Sequence, residues 1–256
     1  MPTEKRAVFL QVRLGSTRLP GKALLPLREK PIVAWAMERL RRVEVDEYWL
    51  VADEKSAEEL TPVASQYGYQ VFGGDPVNVL KRFVDCAQRA EVDWIVRATG
   101  DNPLVAWELA ERSLQLCAAH QLDYAGITGT PYGTGIEVCS AAALMEVYQT
   151  TTSEYDQEHV TPGIYQNPGR FRMRLEEAPA ELYLPQASVT IDTPSDYQRV
   201  IEIFAHIEDP AVIPLQELVA LLRSRPDFGG DGARGVRGAS GDGGTGGGTG
   251  GDGARG

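Results

Sequence analysis

A chain of 256 residues with 43% hydrophobic and 8% aromatic side chains can bury a full core, and its length allows one or two domains. A net charge of −11 argues against a general nucleic-acid binder or a membrane-surface protein. Cys86, Cys117 and Cys139 have no metal-type spacing, residues 1–6 lack a following apolar signal core, and no run approaches the ~18 apolar residues of a membrane span; the expectation is a soluble cytoplasmic protein with buried, reduced thiols.

Residues 7–12 read as a buried strand that runs straight into Arg13-Leu14-Gly15-Ser16-Thr17-Arg18-Leu19-Pro20-Gly21-Lys22. A glycine-containing turn after a first strand leaves backbone N–H groups to face an anion. Arg13, Arg18 and Lys22 follow at spacings of five and four, which makes a polyphosphate the expected ligand, because one carboxylate does not need three cations. Neither the Walker pattern nor the Gly-x-Gly-x-x-Gly turn is present. A basic surface loop is the plain alternative, but in an acidic protein the contrast suits a focused site for a small anion.

Next, Pro31 opens a helix with an apolar face of Ile32, Val33, Ala36, Met37 and Leu40. Residues 48–52 form a short apolar strand, and residues 57–67 an amphipathic helix stopped by Gly68. A third strand at 70–72 is closed by Gly73-Gly74-Asp75-Pro76, a helix covers 79–90, and 94–98 is a fourth strand. Strands separated by helices of this length imply right-handed βαβ units and a mostly parallel sheet.

Beyond Asp101 the pattern loosens. Helices are expected at 109–120, 141–149, 194–207 and 215–223, and strands at 135–139, 170–176 and 188–191. This half reads as an elaborated active-site wall, not a separate domain. After Phe228 the composition breaks: 15 of the 27 glycines lie in 229–256, with Gly-Gly-Asp-Gly-Ala-Arg-Gly occurring twice. Such a segment cannot bury enough apolar surface to order itself, so 1–228 is expected to be the folded unit and 229–256 a disordered tail. Its three arginines are balanced by three aspartates and no aromatic is present to stack, which argues against a nucleic-acid tail.

Gly100-Asp101-Asn102-Pro103 lies just past the fourth strand, at the edge where open α/β sheets bind ligands. A short acidic residue there suits a divalent metal on phosphates, since Mg²⁺ takes one or two carboxylates plus phosphate oxygens; an Asx-type turn is the other role this tetrapeptide encodes. Asp192 ends the late strand ahead of Thr193, a candidate N-cap, and Pro194 at the first helical position. Asp196 fits the helix dipole, which leaves Asp192 without a capping role and makes it the second metal candidate. Glu137 follows a glycine-rich loop, and His159 stands in Glu158-His159-Val160-Thr161-Pro162. Both suit recognition of a sugar's hydroxyls, or else form a Glu–His pair that braces the fold. His120 and His206 sit at expected helix ends and read as structural.

The segment Gln11–Lys22 resembles the N-terminal motif of the sugar-acid cytidylyltransferases, the acylneuraminate and 3-deoxy-manno-octulosonate enzymes, and within them the spore-coat polysaccharide biosynthesis protein F branch. Further matches are Arg97-Ala98-Thr99-Gly100-Asp101-Asn102-Pro103-Leu104, residues 135–138, Glu158-His159-Val160-Thr161-Pro162 and Val189-Thr190-Ile191-Asp192-Thr193-Pro194, in the family's order over roughly 180 residues. The resemblance implies a three-layer α/β/α nucleotide-diphospho-sugar transferase fold (Rossmann-like), CTP as substrate, Mg²⁺ as cofactor and a homodimer. It places Gln11, Arg13, Leu14, Gly15, Ser16, Arg18, Lys22, Arg97, Thr99 and Gly100 on the nucleotide, with Arg13, Arg18, Lys22 and Asp101 as the catalytic set. Asp101 and Asp192 then hold the metal, and Glu137 and His159 the acceptor. The chain departs from the family at Thr134-Gly135, where many relatives have a bulkier pair, and at Gly163, where an aromatic is frequent. The implied reaction is transfer of CMP to a sugar or sugar-acid acceptor for surface polysaccharide synthesis, with release of pyrophosphate. A nucleotide-sugar-dependent glycosyltransferase is a rival lacking its Asp-x-Asp motif here, and a nucleotide-binding regulatory subunit is a rival that intact carboxylates at 101 and 192 count against.

Overall fold

In the computed structural model, which describes residues 4–228, the strand β1 (Arg6–Gln11) alternates its side chains between two separate cores. Val8 and Leu10 face one, Ala7 and Phe9 the other, and all four are fully buried. A strand buried on both faces belongs inside a sheet covered by helices on both sides. The tail expected at 229–256 lies outside the described residues.

In chain order β1 is followed by a small hairpin, β2 (Pro26–Leu27) and β3 (Lys30–Pro31), then α1 (Ile32–Leu40), β4 (Glu47–Asp53), α2 (Glu54–Gln66), β5 (Gln70–Gly74), α3 (Val79–Ala90) and β6 (Trp94–Thr99). The second half contains α4 (Trp107–His120), β7 (Tyr124–Thr128), β8 (Glu137–Ser140), α5 (Ala141–Thr150), α6 (Glu154–His159), α7 (Pro162–Tyr165), β9 (Met173–Glu177), α8 (Pro194–Ala205) and α9 (Leu215–Ser224). The main sheet has seven strands in the order β5-β4-β1-β6-β8-β7-β9. Neighbours are parallel except that β8 opposes both β6 and β7. Helices α1, α2, α4, α8 and α9 cover one face, and α3, α5 and α7 the other. This is the expected three-layer α/β/α sandwich with a mostly parallel sheet.

The helix boundaries follow local chemistry. Asp53, Asn78, Ser140 and Ser153 each accept a backbone N–H at the start of a helix. Thr193 and Asp196 form a reciprocal capping box at the start of α8, with Pro194 at its first turn. Gly68, at φ 72°, follows α2 where a left-handed residue ends a helix. The three cysteines are free and buried, and burial raises their thiol pKa values, that of Cys117 to about 12. Among the described residues no helix is long and apolar enough to cross a membrane.

Two expectations about strands need correction. Residues 188–191 are not a strand: Ser188 makes one isolated bridge to Tyr132, Val189 N–H donates to Tyr132 O, and Ile191 N–H donates to Asp101 O. Their apolar side chains are buried, but their backbone pairs with loops. β7 went unrecognised, because Gly126 interrupts its apolar run.

Candidate active site

The reversed strand β8 brings its first residue, Glu137, to the sheet edge where β1, β6, β7 and β9 end. Along that edge lies a cleft of about 1510 Å³, larger than the usual small-molecule pocket and roomy enough for two ligands. One wall comes from the loop after β1, the start of α3 and the end of β6; the other comes from residues 124–137, 154–165 and 175–185.

The loop of the first wall closes on itself. Ser16 N–H and Gly21 N–H both donate to Leu14 O, and Leu14 N–H donates to Ser56 Oγ on α2. Gly21, at φ 64°, takes the left-handed turn that starts a short 3₁₀ segment, Lys22–Leu24. Among the described residues, the N–H groups of Arg13, Gly15, Thr17 and Arg18 have no partner in the chain, and all four residues line the cleft. These are the free donors that an anion-binding loop requires.

Lys22 is 8% exposed, and its Nζ donates to Asp101 Oδ2 at 2.7 Å, Asp192 Oδ1 at 2.7 Å and Ile191 O at 2.9 Å. Burial disfavours its ammonium, but the two carboxylates outweigh that, and its pKa is raised above 10.5. Arg18 Nη2 lies 3.5 Å from Asp192 Oδ1 and is mostly exposed. The sequence therefore named four residues, Arg18, Lys22, Asp101 and Asp192, that the fold does bring together. Asn102, not Asp101, makes the local turn contact, donating Nδ2–H to Thr99 Oγ1 at 2.7 Å.

The point between Asp101 and Asp192 has the chemistry of a cation site, since an ammonium occupies it with three oxygen partners. Two carboxylates match what Mg²⁺ keeps when phosphates supply its other ligands. Among the described residues no group of three or more His, Cys, Asp or Glu could hold a metal on protein ligands alone. The pair fits a metal that shares its ligands with a phosphate.

Arg97 and Glu137 join the two walls. An Arg97 Nη1 donates to Glu137 Oε2, and Nη2 donates to Gln11 Oε1 at 2.9 Å. Glu137 Oε1 accepts from Tyr124 Oη at 2.6 Å and from Thr161 Oγ1 at 2.8 Å. Glu137 thus ties three elements together while still lining the cleft, and the Glu–His pair is not formed, since its partners do not include His159. His159 is exposed, lines the cleft and packs its ring 4.4 Å from that of Tyr155. Between His159 and Thr161, Val160 adopts φ 75° and ψ −59°, the centre of a γ-turn closed by Thr161 N–H on His159 O. A buried β-branched residue there stores strain of about 1–3 kcal/mol.

Gln11, Arg13, Gly15, Ser16, Arg97 and Thr99 all line the cleft. Leu14 and Gly100, expected on the nucleotide, do not. Leu14 packs on the core with its N–H already bonded, while Gly100 donates to Gln11 O and has Val12 2.7 Å from where a Cβ would stand. Arg82 of α3 was missed. It is buried, lines the cleft and donates from Nε and Nη2 to Asp75 O, and its signal was a cation on an otherwise apolar helix face. The tyrosines 132, 155, 165 and 183 of the second wall were missed too, having no motif spacing. Of the two family departures, Gly135 lines the cleft with open space where a side chain would project, whereas Gly163 packs against Val147 of α5.

Residues 7–224 match the family model described as cytidylyltransferase. The chain is 32% identical over 227 residues to the spore coat polysaccharide biosynthesis protein SpsF of Bacillus subtilis (strain 168), covering 86% of this chain and 94% of that one. It superposes on a cytidylyltransferase from Leptospira borgpetersenii with a TM-score of 0.81 at 25% identity, covering 88% and 97%. It shares its fold with CMP:2-keto-3-deoxy-manno-octonic acid synthetase complexed with CTP, at a TM-score of 0.61 and 21% identity over 79% and 99%. A family match over nearly all the described residues, and a relative this similar over most of both chains, place the protein as a nucleotidyltransferase of the cytidylyltransferase family.

Proposed function

We propose that the protein transfers CMP from CTP to a small sugar or sugar-like acceptor, releasing pyrophosphate, in the synthesis of a surface polysaccharide. The observation that carries this reading is the convergence of Lys22, Asp101 and Asp192 below a loop with four unpartnered N–H groups. In this reading the acceptor oxygen attacks the α-phosphorus in line, and the bond to the β-phosphate breaks. Such chemistry depends on positioning and charge neutralisation more than on a strong base. The loop amides with Arg13, Arg18 and Arg82 bind the phosphates, and Lys22 stabilises the charge developing on the leaving pyrophosphate. Asp101 and Asp192 would hold Mg²⁺, which when bound supplies Lewis-acid polarisation of a phosphoryl oxygen. Arg97 and Glu137 keep the walls in register. The unit 1–228 carries all of these residues; we infer that it works in the cytoplasm as a homodimer, as the family resemblance implied.

The test is thermal stabilisation by CTP, UTP, GTP and ATP, each with and without Mg²⁺. A ligand at 100 times its dissociation constant stabilises by about 2.7 kcal/mol, or roughly 5–10 °C at ~2–4 °C per kcal/mol. The expected result is a shift for CTP above the others, increased by Mg²⁺. The variants D101N and D192N should keep the fold and lose the Mg²⁺ increment. Equal shifts for all four nucleotides would defeat the reading.

A further inference from the structure

The two walls of the cleft carry opposite charge. All five of its lysine and arginine side chains, Arg13, Arg18, Lys22, Arg82 and Arg97, come from the first wall. Only Arg97 reaches the second, and its terminal nitrogens are already held by Glu137 and Gln11. The second wall offers no lysine or arginine; its one basic side chain in the cleft is His159, packed on the ring of Tyr155. It presents Glu154, Glu158 and Glu177, all exposed and none in an ion pair among the described residues. Its rings are also open: Tyr132 is 48% exposed, Tyr155 47% and Tyr183 41%.

Resting on the CMP-transfer reading, we propose that the acceptor is a small polyol carrying a protonated amino group, and that a sugar acid is rejected. A carboxylate on the acceptor would meet carboxylates without a single arginine or lysine to bind it, and like charges brought together in a half-enclosed cleft repel. An ammonium finds acceptor oxygens on Glu158 and Glu177 and the faces of tyrosine rings, the combination that recognises organic cations. The phenols donate hydrogen bonds to hydroxyls, and that of Tyr165 is held protonated by burial, its pKa raised to about 12. Gly135 leaves room for the substituent where a side chain would close the wall.

The experiment uses the full chain and three probes that differ in charge: D-glucosamine, D-glucose and D-glucuronate. Binding is followed by ligand-observed NMR with and without CTP and Mg²⁺. Glucosamine is expected to bind at least about tenfold more tightly than glucuronate, with glucose between them. Each neutralised carboxylate should cost about two- to fivefold, so the double variant E158Q/E177Q should weaken glucosamine by about fivefold or more. The CTP shift should not change in that variant, and glucose binding should fall by a smaller factor than glucosamine binding. Glucuronate binding as well as glucosamine, no discrimination among the three, or an unchanged preference in the double variant would each overturn the proposal. A missing CTP shift defeats the CMP-transfer reading instead, and leaves the probe ranking readable.

Discussion

The two walls of the cleft are built on different principles. The first is dominated by one contiguous loop after β1, closed by its own backbone bonds and a bond to Ser56, with Lys22 turned down between Asp101 and Asp192 and with Arg82 and Arg97 added from α3 and β6. The second is assembled from β7, β8, α6 and β9, and is held by side chains: Glu137 gathers Arg97, Tyr124 and Thr161 from three separate elements. A polyphosphate is the same in every related reaction, so a local, preformed anion loop serves it. An acceptor differs from enzyme to enzyme, and a wall of side chains on separate elements can be changed one residue at a time.

The sharpest way to break this contrast is at Lys22. K22M should lower turnover by about 10²–10³-fold and by the same factor for every acceptor, measured as pyrophosphate release from CTP; an acceptor-dependent loss would mean the walls are not separate. The same variant has a pH signature. The folded pKa of Lys22 lies above its ordinary 10.5, so the pairing contributes its full stability below pH 10.5 and loses it as pH rises through the folded value. The gap in melting temperature between wild type and K22M should therefore be flat from pH 7 to about 9.5 and close in stronger alkali.

A smaller effect sharpens the second wall. E137Q leaves Arg97 without its anion and gives Tyr124 and Thr161 a poorer partner, so stability should fall by about 2 kcal/mol. That corresponds to roughly 4–8 °C in thermal unfolding, with the CTP shift retained. Loss of the CTP shift in that variant would show the first wall leaning on the second. Smallest is T193A, which removes the cap of α8 and half of its reciprocal box at about 1 kcal/mol. Because Asp192 precedes that cap, the Mg²⁺ increment should weaken in T193A more than the nucleotide shift does.

The difference between the walls also decides what could be read from the sequence. The first wall was legible because its residues act where they stand: a strand, a turn and three cations within a few residues. Asp192 was legible by elimination, since Thr193 and Asp196 accounted for the helix start, as the capping box shows. Leu14 and Gly100 look like their neighbours in the motif, and only the bonds to Ser56 Oγ and Gln11 O reveal that they shape the loop from behind. Glu137 could be picked out as an acceptor-side candidate, but not its partners, because Tyr124 and Thr161 lie 13 and 24 residues away. The run 188–191 had a strand's composition, yet among the described residues its backbone bonds run to the loops at Tyr132 and Asp101. Arg82 was hidden by the apolar face around it.

Lys22 also sets a schedule for the growing chain. Its contact with Asp101 spans 79 residues and its contact with Asp192 spans 170. At a synthesis rate of ~5–20 residues per second, about 10–30 s separate the emergence of the lysine from that of its second carboxylate. During that interval the first βαβ units can form and the phosphate loop can take its turn, but Lys22 has only part of its anchor. A chain stopped before Asp192 would carry the loop and only one of the two carboxylates on Lys22, so the Lys22–Asp101–Asp192 cluster is completed late in synthesis, with the start of α8.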